Sequence, residues 1–318
     1  MVKKIALVVW ILLLYGVTKA QSINWPELPA EVQNKSICIQ FDNDTYYLTD
    51  YYYTNGLAVD LTLPVFSQWP VAERIKQKYN YQALSAGLSL SHHLYTPKNI
   101  RDTLVQFNDR PFASTLEIDY FLKNTPTEAQ ILWEVRIQLG IIGPAAGGEA
   151  FQRKIHEWID SPDPLGWEYE IANDLLLNIN ITAGYPLYSQ KNIKIMALIA
   201  IRVGTLFDDI NAGLGLQLGN GEKYQQRSSR KKPRPYLNAN ATVKGVAYNA
   251  TMQGGFLSPY NTHVINAKNI ERVVFSANTT FGVLWQGVSI DYTHNFLTKE
   301  FKAGSSHQYG SFKLTIFF

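Results

Sequence analysis

Apolar and polar residues alternate through most of the chain. In the segment 131–139 every odd position is apolar, whereas Glu134 and Arg136 lie on the opposite face. The segments 84–91 and 288–293 repeat this period of two. Such alternation predicts β-strands, because successive side chains of a strand point to opposite faces. Long helical patterns are nearly absent, so the sequence predicts an all-β fold.

About twelve such segments can be counted, and many are longer than the usual strand of a soluble sheet. About ten tilted residues are what a strand needs to cross a bilayer. We therefore expect an antiparallel, twelve-stranded transmembrane β-barrel that forms a single domain over residues 21–318. The predicted strands are 36–44, 53–64, 82–92, 112–124, 131–143, 168–183, 193–207, 210–219, 235–249, 270–283, 286–297 and 308–318.

A large soluble β-sandwich is the alternative fold, and two features favour the barrel. Apolar residues alternate from Phe312 to a final aromatic residue, Phe318, as in the closing strand of outer-membrane barrels. Aromatic residues also lie near the predicted strand ends, where they suit the girdles at the two membrane interfaces. These residues are Tyr51, Tyr52, Tyr53, Trp133, Trp167, Trp285 and Tyr309.

Residues 1–20 are predicted to be a secretory signal peptide. Lys3 and Lys4 precede an apolar run over 5–15, and the small residue Ala20 follows. A membrane anchor is the alternative, but the run is shorter than the roughly 20 residues of a spanning helix. We therefore expect an exported protein in the Gram-negative outer membrane.

Composition argues against two kinds of function. The chain has 29 Lys+Arg and 26 Asp+Glu, and three of the lysines lie in the predicted signal peptide. The remaining charge is balanced, whereas a nucleic-acid-binding protein usually has a basic excess. Cys38 is the single cysteine, so the chain can form neither an intrachain disulfide nor a cysteine-rich metal site.

The three least barrel-like segments fall on the same side of the predicted barrel. Both termini of such a barrel face the periplasm, so the connections after the first, third and fifth strands lie outside the cell. These connections are 45–52, 93–111 and 144–167.

A cluster of Asp and Asn residues surrounds the first connection. Asp42, Asp44 and Asp50 supply three carboxylates, and Asn43 and Asn55 supply two carboxamides. Oxygen-rich clusters of this kind suit a hard cation such as calcium. The alternative is a hairpin loop, because Asn and Asp are also ordinary turn residues.

The second connection contains or adjoins two histidines and several basic residues. His92 and His93 are adjacent, so on a strand they point to opposite faces and are not expected to share a metal ion. Lys98, Arg101 and Arg110 could contact a phosphate or a carboxylate. They could equally be ordinary surface residues of a loop.

The third connection contains a predicted helix. A Gly-Pro segment beginning at Gly143 ends the fifth strand, and residues 149–159 then read as a short helix in an extracellular loop. Gln152 and His156 are four residues apart, so they share one helix face. A single histidine is more often structural than catalytic. His156, however, shares its helix face with Gln152 and is expected near the acidic cluster.

In these motifs the chain resembles the outer-membrane lipid A 3'-O-deacylases, which are calcium-dependent twelve-stranded barrels. The most specific motif is Gly-Pro-x-x-Gly-Gly-x-x-x-Gln-x-x-x-His over residues 143–156. The weaker motifs occur in order along nearly the whole mature chain. They are Asn43-Asp44, Tyr53-Thr54-Asn55-Gly56, Tyr95-Thr96-Pro97, Asp109-Arg110-Pro111-Phe112 and Phe296-Leu297-Thr298-Lys299-Glu300-Phe301.

The resemblance implies a set of site residues. His156 would be the catalytic base, and Gln152 would orient the water or the imidazole. Asn43 and Asp44 would lie at the catalytic centre and hold calcium, with Thr54 nearby.

The family also uses a lysine in the loop after the Tyr-Thr-Pro motif. Lys98 and Arg101 both compete for that position in this chain. Arginine cannot transfer a proton because it stays charged, so the position is open at this point.

The implied reaction is hydrolysis of an ester-linked acyl chain, the 3'-O-linked acyloxyacyl group, of lipid A in lipopolysaccharide. The site of this carboxylic ester hydrolase would face the outer leaflet, where the substrate lies. Outer-membrane lipids and the barrel assembly machinery are the other expected partners. The alternatives are a passive channel or structural barrel, and a serine-dependent outer-membrane phospholipase, which needs a serine beside its histidine.

Overall fold

The computed structural model describes residues 35–44, 49–79, 84–124, 131–190, 192–219, 232–258 and 260–318. The predicted signal peptide, residues 1–20, lies outside the described residues. The predicted start of the domain, residues 21–34, lies outside them as well.

Twelve antiparallel strands form a closed barrel, in which each strand pairs with its neighbours in sequence and β1 pairs with β12. This confirms the predicted fold. The strands are β1 (Ser36–Asn43), β2 (Tyr52–Thr62), β3 (Leu84–Thr96), β4 (Ala113–Asn124), β5 (Leu132–Ile142), β6 (Asp174–Gln190), β7 (Ile193–Gly204), β8 (Phe207–Gly219), β9 (Arg234–Asn249), β10 (Val273–Trp285), β11 (Val288–Leu297) and β12 (His307–Phe317).

The alternation seen in the sequence separates a polar lumen from an apolar outer wall. In β6, Leu175 and Leu177 are exposed on the outside, whereas Asn178 is buried on the inside. An apolar exterior of this kind suits contact with lipid. Among the described residues, no helix has both the length and the apolar character needed to cross a membrane.

Ion pairs occupy part of the lumen. The Arg136 guanidinium contacts the carboxylates of Asp60 at 3.1 Å, Asp119 at 3.4 Å and Glu134 at 2.5 Å, which join β2, β4 and β5. This confirms that Glu134 and Arg136 face the lumen. The side chains of this network fill space that a passive channel would leave to water.

The two ends of the barrel differ in what they carry. At one end, which we call the terminal rim, Ser36 pairs with both Thr62 and Phe317. At the other, the loop rim, Asn43 pairs with Asn55 and Gly310. The three connections singled out from the sequence all begin and end at the loop rim.

Several strand limits differ from the prediction. Strand β3 continues to Thr96 instead of ending at residue 92, because its pairing with β2 extends to the Tyr52–Thr96 pair. Strand β6 begins at Asp174 instead of residue 168, since a 3₁₀ turn covers Trp167–Tyr169. The second connection is therefore shorter than predicted and the third is longer.

Within the described ranges, three α-helices accompany the barrel: α1 (Pro70–Tyr79), α2 (Gly148–Ile159) and α3 (Ala250–Gln253). Helix α2 confirms the helix predicted over 149–159. Helix α1 was not predicted; it joins β2 to β3 at the terminal rim and follows a 3₁₀ turn at Pro64–Gln68. Further 3₁₀ turns lie at Pro144–Ala146 and Ala267–Asn269.

The prediction of aromatic girdles is only partly correct. Trp285 is exposed on the outside of the barrel, as a girdle requires. In contrast, Tyr53, Tyr309 and Trp167 are buried, the two tyrosines in one core cluster and Trp167 in another. Closeness to a strand end in sequence does not reveal whether another element covers the side chain.

Candidate active site

Helix α2 lies against the outer wall of the barrel at the loop rim. Phe151 packs on a buried apolar cluster that consists of Leu94, Ile100, Phe112 and Trp167. The helix begins very close to β4, because a Cβ added at Gly148 would lie 2.4 Å from the Ser114 Cβ. A larger residue at this position would force the helix away from the wall.

Gln152 and His156 lie on the side of α2 that is turned inward, and they are 3% and 5% exposed. The outward side is mixed in character, because Trp158 is 73% exposed and the ion pairs Glu149–Arg153 and Lys154–Glu157 are exposed as well. The inner side of the helix therefore lines a polar site against the barrel wall.

The indole of Trp167 fixes the carboxamide of Gln152. The Trp167 Nε1–H donates a hydrogen bond to Gln152 Oε1 at 2.8 Å, within the buried space under α2. Because the oxygen is occupied in this way, the amide N–H groups of Gln152 remain to donate elsewhere.

The two ring nitrogens of His156 have different partners. Nδ1 contacts the carbonyl oxygen of Pro162, which only accepts, so Nδ1 carries the proton. Asp160, in the left-handed conformation at φ 54°, turns the chain back after α2 and brings that carbonyl to the ring. Nε2 lies 3.5 Å from Asp50 Oδ2. The Nε2 side of the ring is therefore directed at the first connection.

Asp44 lies at the end of β1 in the same region. Its Oδ2 accepts a hydrogen bond from the Tyr51 N–H at 2.9 Å, and its carbonyl accepts one from the Thr49 hydroxyl at 3.1 Å. Its Oδ1 is buried and has no hydrogen-bond partner among the described residues. Burial, and then the nearby charge of Asp50, hold the pKa of Asp44 well above its usual range.

Asp50 connects the acidic cluster to α2. Burial raises the pKa of this carboxyl, while the charges of His156 and Arg101 oppose that rise. The structure thus places Asp44, Asp50, His156 and Arg101 within electrostatic reach of one another.

The acidic cluster fits a hard cation. Within the described ranges, no three His, Cys, Asp or Glu side chains converge as a metal-binding group. However, calcium also accepts carboxamide, hydroxyl and carbonyl oxygens. Asp44 Oδ1 is buried, has no hydrogen-bond partner among the described residues and lies near the charge of Asp50. A bound cation would offset the repulsion between the two carboxylates. Asn43 and Asn55 add carboxamides directly across the β1–β2 pair.

A β-bulge sets the local direction of β2. The pairing of β2 with β3 shifts between Tyr53 and Asn55, so Thr54 is the extra residue. Tyr53 turns into the lumen, where its hydroxyl lies 2.9 Å from His93 Nδ1. Bulges commonly re-aim side chains beside active sites. Thr54 is buried at this bulge, one residue from the Asn43–Asn55 pair.

The two candidates for the basic position occupy different places. The Lys98 ammonium hydrogen-bonds to the Ser305 hydroxyl at 2.6 Å and lies 5.7 Å from the ring centre of Tyr52. Arg101 acts on Asp50, the carboxylate that faces His156. The geometry favours Arg101 for a role at His156. Lys98 instead links the connection after β3 to the connection after β11.

Arg110 does not offer its guanidinium to a ligand. It is almost completely buried, donates to the Thr251 hydroxyl at 2.8 Å, lies 3.6 Å from Glu300 and stacks over the Tyr95 ring at 4.5 Å. Of the two predicted contacts, a phosphate or a carboxylate, Arg110 makes the one to a carboxylate, that of Glu300, because the loops after β9 and β11 enclose it.

The adjacent histidines point to opposite faces, as predicted. His93 faces the lumen beside Tyr53, and His92 packs edge-on against Phe151 of α2, with ring centres 5.0 Å apart. His92 therefore supports the helix that carries His156.

Four residues that shape the site make contacts that the sequence interpretation did not predict. Asp50 and Pro162 contact the two nitrogens of His156, and Trp167 contacts Gln152. Glu170 accepts a hydrogen bond from the Ser114 hydroxyl at 3.1 Å, and burial raises its pKa to about 8. For Asp50 the sequence indicates only that it belongs to the acidic cluster. It indicates none of the contacts made by Pro162, Trp167 or Glu170.

Comparisons with known proteins bear on this arrangement. A protein family described as "Outer membrane protein LpxR" matches residues 7–318. No curated protein sequence matches the chain. The solved structure of LpxR from Salmonella typhimurium superposes with a TM-score of 0.72 at 18% identity, covering 89% of this chain and all of that one.

A weaker match is the beta domain of the Bordetella autotransporter BrkA. It has a TM-score of 0.44 at 9% identity and covers 90% of this chain and 99% of that one. The translocator domain of the autotransporter NalP from Neisseria meningitidis has a TM-score of 0.39 at 8% identity, covering 89% of this chain and 87% of that one. Neither match supports any statement about the site.

Proposed function

The chain belongs to the outer membrane protein LpxR family, and we propose that its loop rim is the active site of a lipid A deacylase in the outer membrane. The bond cut is an ester to an acyl chain, the 3'-O-linked acyloxyacyl group, which makes the protein a carboxylic ester hydrolase. The observation that carries this proposal is the pairing of His156 with Asp50 under helix α2, on the lipid-facing side of the wall.

His156 would act as the general base. Its Nε2 takes a proton from a water molecule, and the water oxygen attacks the ester carbonyl carbon. The tetrahedral intermediate then collapses, the bond between the carbonyl carbon and the sugar oxygen breaks, and the proton on the imidazole passes to that oxygen. The products are a fatty acid and a free hydroxyl on lipid A. The hydrogen bond from Nδ1 to Pro162 keeps Nε2 available for this proton transfer.

Other side chains would position the reactants. Gln152, held by Trp167, would direct its N–H groups at the attacking water. Arg101 would supply positive charge near the oxygen that becomes negative in the transition state. Arg101 fits this electrostatic role because it needs no proton transfer.

Asn43 and Asp44 would hold calcium, with the Thr54 hydroxyl nearby. When bound, calcium supplies Lewis-acid stabilisation of the developing oxyanion. The buried, unpartnered Asp44 oxygen supports this assignment.

The contacts of His156 do not favour the serine-dependent phospholipase. Among the described residues, neither ring nitrogen of His156 contacts a serine hydroxyl, and Ser161 meets His156 only through a backbone hydrogen bond at 2.9 Å. A serine nucleophile needs such a contact to be activated. Water is therefore the nucleophile in our proposal.

The barrel assembly machinery remains a proposed partner. Phe312, Leu314 and Ile316 alternate along the closing strand β12, and this pattern is the feature that would be read during assembly.

Lipid A mass spectra from cells that express the wild type or the His156→Ala variant test the proposal. We expect lipid A that lacks one acyloxyacyl group only with the wild type, while both proteins show the heat-modifiable gel mobility of a folded barrel. Full deacylation by the variant would refute the assignment of the base. Phospholipid fragments in place of shortened lipid A would identify the other hydrolase class, and activity unaffected by EDTA would remove the metal role.

A further inference from the structure

The connection between β2 and β3 forms a short helical segment on the outside of the barrel. This segment, Pro64–Tyr79, comprises the 3₁₀ turn and α1, and we call it the rim helix. Ala72 is fully buried against Leu84, Ala86 and Leu122. These wall residues alternate with lumen-facing ones such as Ser89, which bonds to Asp60 at 2.5 Å, so the rim helix covers the outer face.

Polar contacts fix the rim helix in this position. The Tyr120 hydroxyl donates to the Phe66 carbonyl at 2.9 Å, and the Ser67 hydroxyl donates to the Leu84 carbonyl at 3.2 Å. The Lys76 ammonium bonds to both the Ser67 carbonyl, at 2.6 Å, and Glu73. The segment is therefore a docked element of the wall, and its outward face has a defined composition.

The outward face of the rim helix is apolar and continuous with the lipid-facing wall. Val71 is 46% exposed and Trp69 is 40% exposed, and the Trp69 ring stacks on Tyr120 with ring centres 4.9 Å apart. Tyr120 belongs to the outer face of β4, next to Leu122. Val65 extends the same exposed apolar surface.

Basic residues accompany this apolar surface. Arg74 lies three positions after Val71, and Lys78 four positions after Arg74, so all three share one exposed helix face. The rim helix carries Arg74, Lys76 and Lys78 against a single acid, Glu73, which gives a net charge of +2. Long basic side chains beside apolar residues can extend their charges to the headgroup level while the apolar residues enter the acyl region.

We propose that the rim helix is a binding site for anionic phospholipid. Its apolar residues enter the acyl boundary at the periplasmic side, and Arg74 with Lys78 contacts the phosphate of the headgroup. The terminal rim is the end opposite the loop rim, so this site meets the phospholipid leaflet and not the leaflet that contains lipid A. The inference goes beyond the proposed deacylase activity and does not depend on it.

Lipid retention by the full chain tests this site. The protein is placed in nanodiscs of phosphatidylcholine with a minor fraction of phosphatidylglycerol, and the lipid that stays bound is measured by native mass spectrometry. We expect phosphatidylglycerol to be enriched over its bulk fraction. The Arg74→Glu/Lys78→Glu variant should lower that enrichment at least about fivefold, the effect of roughly one basic residue near a membrane surface.

A matched variant at the other rim serves as the control. Lys268→Glu/Lys302→Glu reverses two charges on exposed residues of the loop rim and should leave the enrichment within about twofold of the wild type. The charge-conserving Arg74→Lys/Lys78→Arg variant should retain it, which separates loss of charge from loss of fold. Equal enrichment in the wild type and the rim-helix variant, or an equal fall in the control, would overturn the proposal.

Trp69 provides a second readout. Phospholipids brominated on the acyl chain quench tryptophan at short range, so Trp69→Phe should reduce the quenchable fraction of the fluorescence. If that fraction is unchanged, Trp69 does not meet acyl chains and the proposal fails. If the charge reversal changes only the oligomeric state and not the bound lipid, a second copy of the chain occupies this face and the proposal also fails.

Discussion

The lumen and the outer wall at the loop rim both bury carboxylates, but they balance those charges differently. In the lumen, Arg136 contacts three carboxylates, and Arg202 pairs with Asp209. At the loop rim, Asp44 faces the charge of a second acid, Asp50, and one of its oxygens has no hydrogen-bond partner among the described residues. These lumen carboxylates are therefore paired with guanidinium groups of the chain, whereas at the loop rim Asp44 lies near another carboxylate.

The ion pairs in the lumen thus have a structural role, whereas the carboxylates at the loop rim are candidates for ligand binding or catalysis. Buried ion pairs in the lumen connect strands that are distant in sequence and fix their register. At the loop rim the charge of Asp50 instead raises the pKa of Asp44, and Asp44 Oδ1 has no hydrogen-bond partner among the described residues. The adjacent histidines repeat the contrast, since His93 belongs to the lumen and His92 supports α2.

The largest effect is expected on stability, from a change in the lumen. Arg136→Met leaves three lumen carboxylates without their guanidinium, and breaking a buried ion pair by removing one partner costs about 3–5 kcal/mol. The urea midpoint of the barrel in micelles, followed by gel mobility, should fall. Deacylation per folded molecule should remain, and its loss would show that the lumen belongs to the active site.

The next effect is expected on catalysis, from a change at the loop rim. Asp44→Asn should lower kcat/KM for purified lipopolysaccharide by about 10²–10³, the usual effect of losing one electrostatic element of a site. The remaining activity should no longer respond to EDTA. Asp119→Asn, the same change in the lumen, is the control and should leave kcat/KM nearly unchanged. Similar losses in both variants would show that the lumen carboxylate contributes to catalysis as much as the one at the loop rim.

A smaller effect distinguishes the two basic candidates. Arg101→Gln should lower kcat/KM about tenfold, equivalent to ~1.4 kcal/mol, because its charge acts on the carboxylate beside His156. Lys98→Gln removes the hydrogen bond to Ser305 and should have a weaker effect. The opposite ranking would assign the basic position to Lys98.

The smallest effect concerns pH. Glu170 in the third connection has a pKa of about 8 because of burial, against an ordinary value near 4.5. The folded protein keeps a proton there that the unfolded chain loses, so this stabilisation is complete below pH ~4.5 and is lost as the pH rises through about 8. Hydrogen exchange in α2, corrected for intrinsic rates, should therefore increase a few-fold between pH 7 and pH 9.

Glu170→Gln should remove this pH dependence, since its amide stays neutral. Glu157→Gln is the matched control, because Glu157 is an exposed residue of α2 that pairs with Lys154. The control should behave as the wild type does. Equal behaviour of wild type and Glu170→Gln at both pH values would exclude Glu170 as the titrating group.

The fold was predictable because a barrel wall requires a strict period of two. Each residue of a strand faces either lipid or the lumen, so the pattern of β6 appears directly in the sequence. Strand parity then placed the three connections at one rim. The rim helix was not predicted, because α1 is short and its burial on the wall depends mainly on the single small residue Ala72.

Only those site residues that lie in the sequence motifs could be predicted. The four-residue spacing of Gln152 and His156 places both on one helix face, and the structure confirms this. The sequence could not show that Trp167 is buried and bonds Gln152, because its burial depends on α2 and on Leu94, Ile100 and Phe112, which are distant in the chain. It also could not distinguish Asp50 from the other acids of its cluster, since the contact to His156 joins residues far apart in the chain.

The position of His156 on the outer wall has a kinetic consequence. Because His156 lies under α2 on the lipid-facing side of the barrel, substrate reaches it by diffusion within the plane of the leaflet. The encounter rate of such an enzyme follows the number of lipid A molecules per unit area and not their concentration in the surrounding volume. Diluting lipid A with an inert amphiphile would therefore slow turnover even when the total amount of lipid A stays constant.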